Sequence, residues 1–255
     1  MSIRIENPAS PDLIPQTLKP AIERVTGFYQ DVFASRLQSV YLLGSAARGE
    51  YKSGISDFDL RAIVSDKKEG EKEKVDVMAL PMEEEFNLAK MELDVYTETI
   101  LNNNDWLQFY LLVDGLCVWG VPYKPPIPLP SSKEGIASML TTHLLKQYQK
   151  MPITPEKIKA RLEEDNPEAW RQYARRAIRL GNAISIFKTG QYTQNKEKMV
   201  ENIIRNVPEI SEPILRLDVY RNKPPANFKE CLEFVNLAEI VRKTIFKYGL
   251  NERKV

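Results

Sequence analysis

The 255-residue sequence contains little cysteine and histidine, with two cysteines and a single histidine, His143. Cys117 and Cys231 are far apart in the sequence, which excludes the paired spacing of a zinc site and a small disulfide-stapled domain. One histidine excludes sites built on paired histidines. No run of about 18 apolar residues is present, so no membrane-spanning helix is expected. The polar, proline-broken N-terminal segment is not typical of a signal peptide, and the sequence therefore predicts a reduced, cytoplasmic protein.

The overall composition is that of a globular protein, with 43% hydrophobic and 28% charged residues. A net charge of +1 hides an asymmetry, because residues 1–125 carry a net charge of −7 and residues 126–255 a net charge of +8. An acidic half facing a basic half would hold a metal-bound polyanion between them. Two ordinary solvated surfaces would give the same numbers, and the composition leaves both interpretations open.

Apolar periodicity divides the first half of the chain into helices and strands. Apolar residues at three- and four-residue spacing predict a helix over Pro15–Phe33. The apolar segments Leu37–Leu43, Phe58–Val64 and Met91–Tyr96 are predicted strands, and residues 75–90 are a predicted helix between the last two. This order of helix, strand, turn, strand, helix and strand indicates a small α/β domain with a mixed sheet.

A proline-rich segment follows a short predicted strand at Leu116–Trp119. Five prolines fall within residues 121–130, a density that excludes helix and central strand. We therefore predict two domains, residues 1–121 and 131–255, joined by a linker at 122–130. The predicted fold class is α+β, with the mixed-sheet domain followed by an all-α helical bundle. The bundle helices are predicted at 133–150, 155–164, 167–188, 195–206, 209–221 and 227–248.

Chemistry-bearing residues cluster where the first two strands end and begin. A predicted strand ends at Gly44, where the missing side chain lets the backbone approach a ligand. Ser45 then opens a helix or turn, with its hydroxyl and N–H directed at an anion. Asp57 and Asp59 are two residues apart on a strand and lie on one face, while Phe58 points to the core. Adjacent carboxylates repel unless a cation lies between them, so this spacing predicts Mg²⁺ bound together with substrate phosphates.

A third carboxylate, Asp94, lies between apolar residues in the next predicted strand. A lone buried carboxylate is costly without a partner. If this strand pairs with the one that carries Asp57 and Asp59, three carboxylates converge on one site. Such a site would bind one or two Mg²⁺ ions, neutralise a triphosphate and assist an incoming hydroxyl.

These residues together resemble the signature of the polymerase-β-like nucleotidyltransferase superfamily, over about residues 37–96. The resemblance implies that the Gly44–Ser45 turn, with Ser56, binds the triphosphate of the nucleotide. It also implies that Asp57 and Asp59 bind the metal ions. Asp94 matches the third acid, which serves as metal ligand or as base for the acceptor hydroxyl. The first predicted domain is then the nucleotidyltransferase domain.

The helical half resembles the aminoglycoside adenylyltransferases of the streptomycin/spectinomycin type. The helix that ends at Phe187–Gly190 is followed by Lys196, and Tyr220 lies after the next helix. The resemblance implies that both contact the triphosphate. In that family an arginine of the preceding helix also contacts phosphate. An alignment without gaps places Asn182 at that position in this sequence. Arg179 lies one helical turn earlier and is the candidate that the resemblance suggests for this contact.

The acceptor side departs from that family. Near the start of the long helix Trp170 is kept, but Ala169 stands where an acid is expected. The basic C-terminal half also disfavours a tightly held polycation, because like charges repel. The acidic segment Glu163–Asp165 could supply negative charge locally, and the resistance-type substrate stays open.

The resemblance implies an adenylyltransferase that uses ATP as substrate and one or two Mg²⁺ ions as cofactor. It transfers AMP to a hydroxyl of a small molecule, aminoglycoside-like compounds included, and releases pyrophosphate. Asp94 would take the hydroxyl proton. Transfer to a protein or tRNA, as in antitoxin-like relatives, and a non-catalytic nucleotide-binding module are the alternatives. No aromatic–basic platform is present, so a nucleic-acid partner is not expected; the oligomeric state is left open.

Overall fold

The computed structural model describes residues 5, 7–126 and 128–250. The chain divides into two units, Ile5–Leu129 and Pro130–Val255. Residues 1 and 255, the outer bounds of the two predicted domains, lie outside the described residues. The same holds for Ile127 in the predicted linker. The assignment of residues 122–130 as a linker stays a prediction.

The first unit alternates helices with strands, in positions close to those predicted. Its strands begin and end within a residue of the apolar segments that predicted them. The short helix Glu98–Asn102, directly after the third strand, was not predicted. The elements are α1 (Lys19–Phe33), β1 (Leu37–Leu43), α2 (Gly44–Ala47), β2 (Phe58–Val64), α3 (Glu71–Phe86), β3 (Met91–Thr97), α4 (Glu98–Asn102), α5 (Asp105–Asp114) and β4 (Leu116–Gly120).

The four strands form one mixed sheet in the order β3-β2-β1-β4. β1 pairs antiparallel with β2 and with β4. β2 and β3 run parallel, which requires a crossover connection between them, and α3 provides it. The predicted mixed sheet is thereby confirmed.

One face of β2 and β3 is apolar and packs into the core. Phe58, Leu60, Leu93 and Val95 are buried there, in one cluster with residues of α1 and α3. Side chains alternate between the two faces of a strand. The charged side chains of β2 and β3 therefore share the opposite face, and this alternation positions the site described below.

The helix α3 differs from its prediction at both ends, since it covers Glu71–Phe86 instead of residues 75–90. It ends where Asn87 adopts a left-handed conformation with φ of 50°, which stops helix propagation. Its start is fixed by Glu71, which is paired with Arg36 and accepts a hydrogen bond from the Lys68 N–H (2.7 Å). The contact with Arg36 is distant in sequence, so local periodicity could not predict it.

The second unit is a bundle of helices around α8, which confirms the predicted all-α domain. Several helices begin at a Ser, Thr or Asn whose side chain accepts a backbone N–H, as good N-caps do. At Gly181 of α8 an added Cβ would lie 2.9 Å from Ile214 Cδ1, so α8 and α10 pack closely there. The helices are α6 (Lys133–Tyr148), α7 (Pro155–Glu163), α8 (Pro167–Thr189), α9 (Lys196–Asn206), α10 (Ser211–Asn222) and α11 (Phe228–Lys247). In the described part of the chain, no helix is both long and apolar enough to cross a membrane.

Candidate active site

The turn after β1 is built around Gly44. β1 ends at Leu43, and α2 begins at Gly44 with a φ of +69°, which favours glycine. A Cβ atom at this position would lie 3.1 Å from Oδ2 of Asp59. Because Leu43 pairs with Asp59 in the antiparallel register, the backbone of the turn passes directly beside that carboxylate. The structure thus brings the predicted glycine–serine turn and Asp59 together.

The loop from Ser45 to Asp57 is closed by its own hydrogen bonds. The Glu50 N–H donates to the carbonyl oxygen of Ser45 (2.9 Å). The Lys52 N–H donates to the hydroxyl of Ser56 (3.0 Å), so Ser56 fixes a turn within the loop. Asp57 is exposed and immediately precedes β2.

The parallel register of β2 and β3 decides which carboxylates meet. Asp59 is paired with Glu92, and Arg61 is paired with Asp94. Glu92 therefore lies beside Asp59, and Asp94 lies one side-chain pair farther along the strand. Sequence analysis singled out Asp94 and missed Glu92. The two-residue periodicity of Met91–Tyr96 carried the signal, because it puts both acids on one face.

Burial raises the pKa of Asp59 to about 7. The negative charges of Glu92 and Asp57 add to this effect, and the Glu92 carboxyl lies within hydrogen-bond reach of Asp59. Burial also opposes the ionisation of Glu92, but the positive charges of Lys90 and Arg61 outweigh it and lower the pKa of Glu92. The two carboxyl groups thus compete for ionisation, and a cation at this end of the strands would stabilise both in the charged form.

Arg61 is a cation enclosed by these acids, and sequence analysis did not single it out. Its Nη1 donates to the carbonyl oxygens of Leu60 (3.2 Å) and Glu92 (2.7 Å). Its Nη2 lies 3.5 Å from Oδ1 of Asp59 and 3.4 Å from Oε2 of Glu92. Its Nε lies 3.8 Å from Oδ2 of Asp94. One guanidinium therefore contacts three carboxylates on the charged face of the sheet.

Asp94 was predicted to face a metal ion or an acceptor hydroxyl, and in the structure it contacts two cations and a tyrosine hydroxyl. Its carboxylate lies 3.5 Å from the ammonium of Lys72 and 3.8 Å from Nε of Arg61. The Tyr96 hydroxyl donates to it at 3.5 Å. These contacts make Asp94 the partner of two cations, and its role as metal ligand or base stays a prediction.

Carboxylate oxygens are the available metal donors at this end of the sheet. Within residues 5, 7–126 and 128–250, no three Asp, Glu, Cys or His side chains converge closely enough to hold a metal ion. The structure therefore does not bring Asp57, Asp59 and Asp94 together as predicted. Asp59 and Glu92 do lie side by side, with Asp57 next to them and the open position of Gly44 above Asp59. Hard oxygen donors beside an uncrowded backbone turn fit Mg²⁺.

The residues predicted to contact the triphosphate from the helical half lie on three helices of the second unit. Lys196 is exposed as the first residue of α9, which Asn195 caps by accepting from the Lys198 N–H (3.0 Å). Tyr220 is buried in α10, and its hydroxyl donates to Glu233 (3.2 Å). Their predicted contacts with the triphosphate stay predictions.

Arg179 lies half-buried on α8, in a group of positive side chains around His143 of α6. Burial and the positive charges of Arg179, Lys146 and Arg176 lower the pKa of His143 to about 4. The amide nitrogen of Gln147 lies 2.7 Å from Nε2 of the imidazole, a contact that fits a neutral ring with Nε2 as acceptor. His143 is thus half-buried beside three cations, an environment that favours its neutral form.

The first turns of α8 carry little free negative charge. Glu168 is paired with Arg171 (3.4 Å) and with Arg175 (3.0 Å). Trp170 is buried and packs edge-on against Phe234, with ring centroids 5.4 Å apart. This tryptophan is therefore a core residue of the bundle.

Comparison with known proteins agrees with these features. Residues 30–111 match the family described as nucleotidyltransferase domain. No curated protein sequence matches the chain. The chain is similar in structure to spectinomycin adenyltransferase AAD(9) from Enterococcus faecialis, whose crystal structure contains ATP and spectinomycin. The TM-score is 0.54 at 15% identity, over 88% of this chain and 98% of that chain.

At that identity the structural likeness shows the fold alone. The match over residues 30–111 covers the glycine–serine turn, both strands that carry the acids and the helix between them. The chain therefore contains a nucleotidyltransferase domain, and the predictions of a polymerase-β-like nucleotidyltransferase and of an enzyme are confirmed.

Proposed function

We propose that the protein transfers AMP from ATP to a hydroxyl of a small molecule, with Mg²⁺ as cofactor and pyrophosphate as the second product. The observation that carries the proposal is the pair of carboxylates, Asp59 and Glu92, beside the open turn at Gly44. A nucleotidyltransferase domain supports the reaction class. The relative that shares the fold binds ATP and spectinomycin in its crystal structure, which supports ATP as the donor.

The paired carboxylates of Asp59 and Glu92 would hold Mg²⁺ together with the triphosphate, and Asp57 would add negative charge beside them. When bound, the metal neutralises charge on the phosphates and aligns the reacting groups. The N–H groups and the hydroxyl at the Gly44–Ser45 turn would bind the outer phosphates, since the start of a helix presents unpaired N–H groups to anions. Ser56 would contribute by fixing the loop that carries Asp57.

In the reaction, the acceptor oxygen forms a bond to the α-phosphorus while the bond from that phosphorus to the bridging oxygen breaks. Pyrophosphate leaves with the bonding electrons. We assign the acceptance of the hydroxyl proton to Glu92 instead of Asp94, because Glu92 is the acid that lies beside Asp59. Asp94 would instead help to position Arg61, with which it forms an ion pair.

Lys196, Arg179 and Tyr220 would bind the phosphates from the helical half. Lys196 is exposed and able to meet an anion. The Tyr220 hydroxyl would have to exchange its partner Glu233 for a phosphate oxygen. These assignments depend on the resemblance of the helical half to the aminoglycoside adenylyltransferases.

The acceptor is best described as a hydroxylated small molecule of low positive charge. Ala169 stands where that family is expected to have an acid, and the neighbouring Glu168 is already paired with two arginines. The Glu168 carboxylate is thus less available to a polycationic aminoglycoside, which would depend on the exposed acidic segment Glu163–Asp165 before the helix. A cytoplasmic location fits the use of ATP and the two unpaired cysteines, Cys117 and Cys231.

The test is pyrophosphate release from ATP and Mg²⁺, with transfer of the labelled α-phosphate followed in parallel. The acceptor panel contains spectinomycin, other aminoglycosides, neutral hydroxylated metabolites and a cell extract. Transfer to a small molecule that is lost in Asp59→Asn supports the proposal. Label found only on a protein or RNA of the extract would replace the acceptor class. ATP binding without transfer to any acceptor, extract included, would contradict it.

A further inference from the structure

We propose that Arg61 is a built-in cation of the acidic site, a positioning residue that makes a second divalent ion unnecessary. The inference rests on the proposed function, because it concerns how many Mg²⁺ ions the site needs. It follows from the contacts of one side chain that points into the cluster of acids from the middle of β2.

The guanidinium of Arg61 is fixed before any ligand binds. The side chain is 11% exposed, and Nη1 donates to backbone carbonyls on two neighbouring strands, those of Leu60 and Glu92. Backbone acceptors in a paired sheet do not move with side-chain rotamers. Arg61 is thereby held in place, and its charge is permanent because guanidinium does not lose its proton in proteins.

The two remaining nitrogens of Arg61 face the acids. Nη2 lies within 3.5 Å of both Asp59 and Glu92, and Nε lies 3.8 Å from Asp94. A cation that contacts both carboxylates of a pair lowers their mutual repulsion. A second metal ion would reduce the repulsion between the carboxylates in the same way. The side of Asp59 next to Gly44 then remains available for a single ion.

The charge balance of the cluster leads to the same conclusion. Five acids and three cations lie at this end of β2 and β3, so the cluster has two negative charges in excess when all are ionised. A single divalent ion balances this excess, and Mg²⁺ is usually bound by one or two carboxylates together with substrate phosphates. The metal would therefore arrive with ATP. The residues are Asp57, Asp59, Asp76, Glu92 and Asp94, with Lys72, Lys90 and Arg61.

The experiment measures Mn²⁺ binding to the full-length protein without nucleotide, from the loss of the free Mn²⁺ signal in electron paramagnetic resonance. The wild type is expected to bind Mn²⁺ weakly. Arg61→Met, which removes the charge and keeps an unbranched side chain, is expected to bind Mn²⁺ at least about tenfold more tightly. Arg61→Lys is expected to stay near the wild type. A merely structural role for Arg61 predicts the opposite, a loss of binding in Arg61→Met.

Arg36→Met is the matched control, because Arg36 also pairs with two acids of the same unit, Glu71 and Asp66. Its Mn²⁺ affinity should equal that of the wild type. An unchanged or weaker affinity in a folded Arg61→Met, or an equal gain in Arg36→Met, would overturn the proposal.

A second measurement needs no variant. Wild-type protein saturated with a non-hydrolysable ATP analogue is expected to bind one Mn²⁺ per chain, and two would overturn the proposal. Both readouts are independent of the acceptor. A protein that transfers no AMP in any assay, yet behaves as expected toward Mn²⁺, would contradict the proposed function and leave this inference intact.

Discussion

At the ends of β2 and β3, negative side chains gather around a cation, whereas between α6 and α8 positive side chains gather around a neutral ring. In the first cluster Asp59, Glu92 and Asp94 contact Arg61. In the second, Arg179 and two other cations act on His143, whose pKa falls to about 4. The two clusters reflect the opposite net charges of the two halves of the sequence.

The difference between the clusters lies in what offsets the like charges. The acidic cluster contains its own counter-charge, so it keeps its carboxylates close together and ready for a further cation. The basic cluster instead favours the uncharged form of its titratable member, so the ring adds no further positive charge to it. Acid pairs that are stabilised internally are suited to bind metal, and a surplus of positive charge is suited to bind phosphate.

The interpretation of the acidic cluster depends most on whether Glu92 or Asp94 acts with Asp59 in catalysis. Glu92→Gln is expected to lower AMP transfer by about 10³-fold, about 4 kcal/mol of transition-state stabilisation. Asp94→Asn, its matched partner on the same strand, is expected to lower the rate by less than about tenfold, because partly exposed ion pairs contribute little. Steady-state kinetics of both variants, with thermal unfolding to verify the fold, measure the difference. Equal losses would return the catalytic role to Asp94.

The basic half can be tested at Lys196. If its ammonium binds the triphosphate, Lys196→Ala should raise KM for ATP by about thirtyfold, since a hydrogen bond to a charged group contributes about 2 kcal/mol. Lys198→Ala, an exposed neighbour in α9, should leave KM unchanged. Mg·ATP titrations of both variants give the comparison. A KM that is equally insensitive to both changes would remove Lys196 from the nucleotide site.

The strands and the turn at Gly44 are determined by local sequence patterns, and the sequence therefore predicts them well. β1, β2 and β3 follow from apolar segments, and Gly44 follows from the abrupt end of the first segment. The choice between Glu92 and Asp94 requires the register of two parallel strands, which is set by packing and not by either strand alone. Arg61 escapes notice for the same reason, because a charged residue in an apolar strand is explained only by the acids of its neighbour.

Two helices, one in each unit, show the same limit. The start of α3 depends on the pair between Glu71 and Arg36, which are distant in sequence. His143 lies on α6, and only the packing of α6 against α8 brings Arg176 and Arg179 near it. Long-range contacts of charged side chains leave no local pattern to read.

The backbone of the acidic cluster is tested by Gly44→Ala. The left-handed φ costs a non-glycine residue about 1–2 kcal/mol, and the new methyl group would also lie 3.1 Å from Oδ2 of Asp59. Gly70→Ala is the control, with a φ of +78° and no heavy atom within 4 Å of an added Cβ. Both variants should lose similar unfolding free energy in urea, and only Gly44→Ala should also lose activity. Full activity in Gly44→Ala would show that the space beside Asp59 is not used.

The smallest expected effect concerns the neutral ring of the basic cluster. His143 has a pKa of about 4 in the folded protein, because burial and the cations Arg179, Lys146 and Arg176 all disfavour its charged form. The unfolded chain binds this proton near pH 6.5, so the unfolded state binds more protons between pH 4 and pH 6.5, and stability must fall as pH falls through that range. The full shift corresponds to about 1.8 kcal/mol between pH 7 and pH 5. Because the ring is partly exposed and solvent screens its surroundings, replacing His143 by Gln should reduce the loss of stability over that range by about 1 kcal/mol. Because the chain has one histidine, its imidazole gives a single NMR titration, which Arg179→Met should shift to higher pH. Titration of the wild type near pH 6.5 would mean that His143 is solvated like an ordinary surface residue, and the contrast between the two clusters would then rest on the acidic one alone.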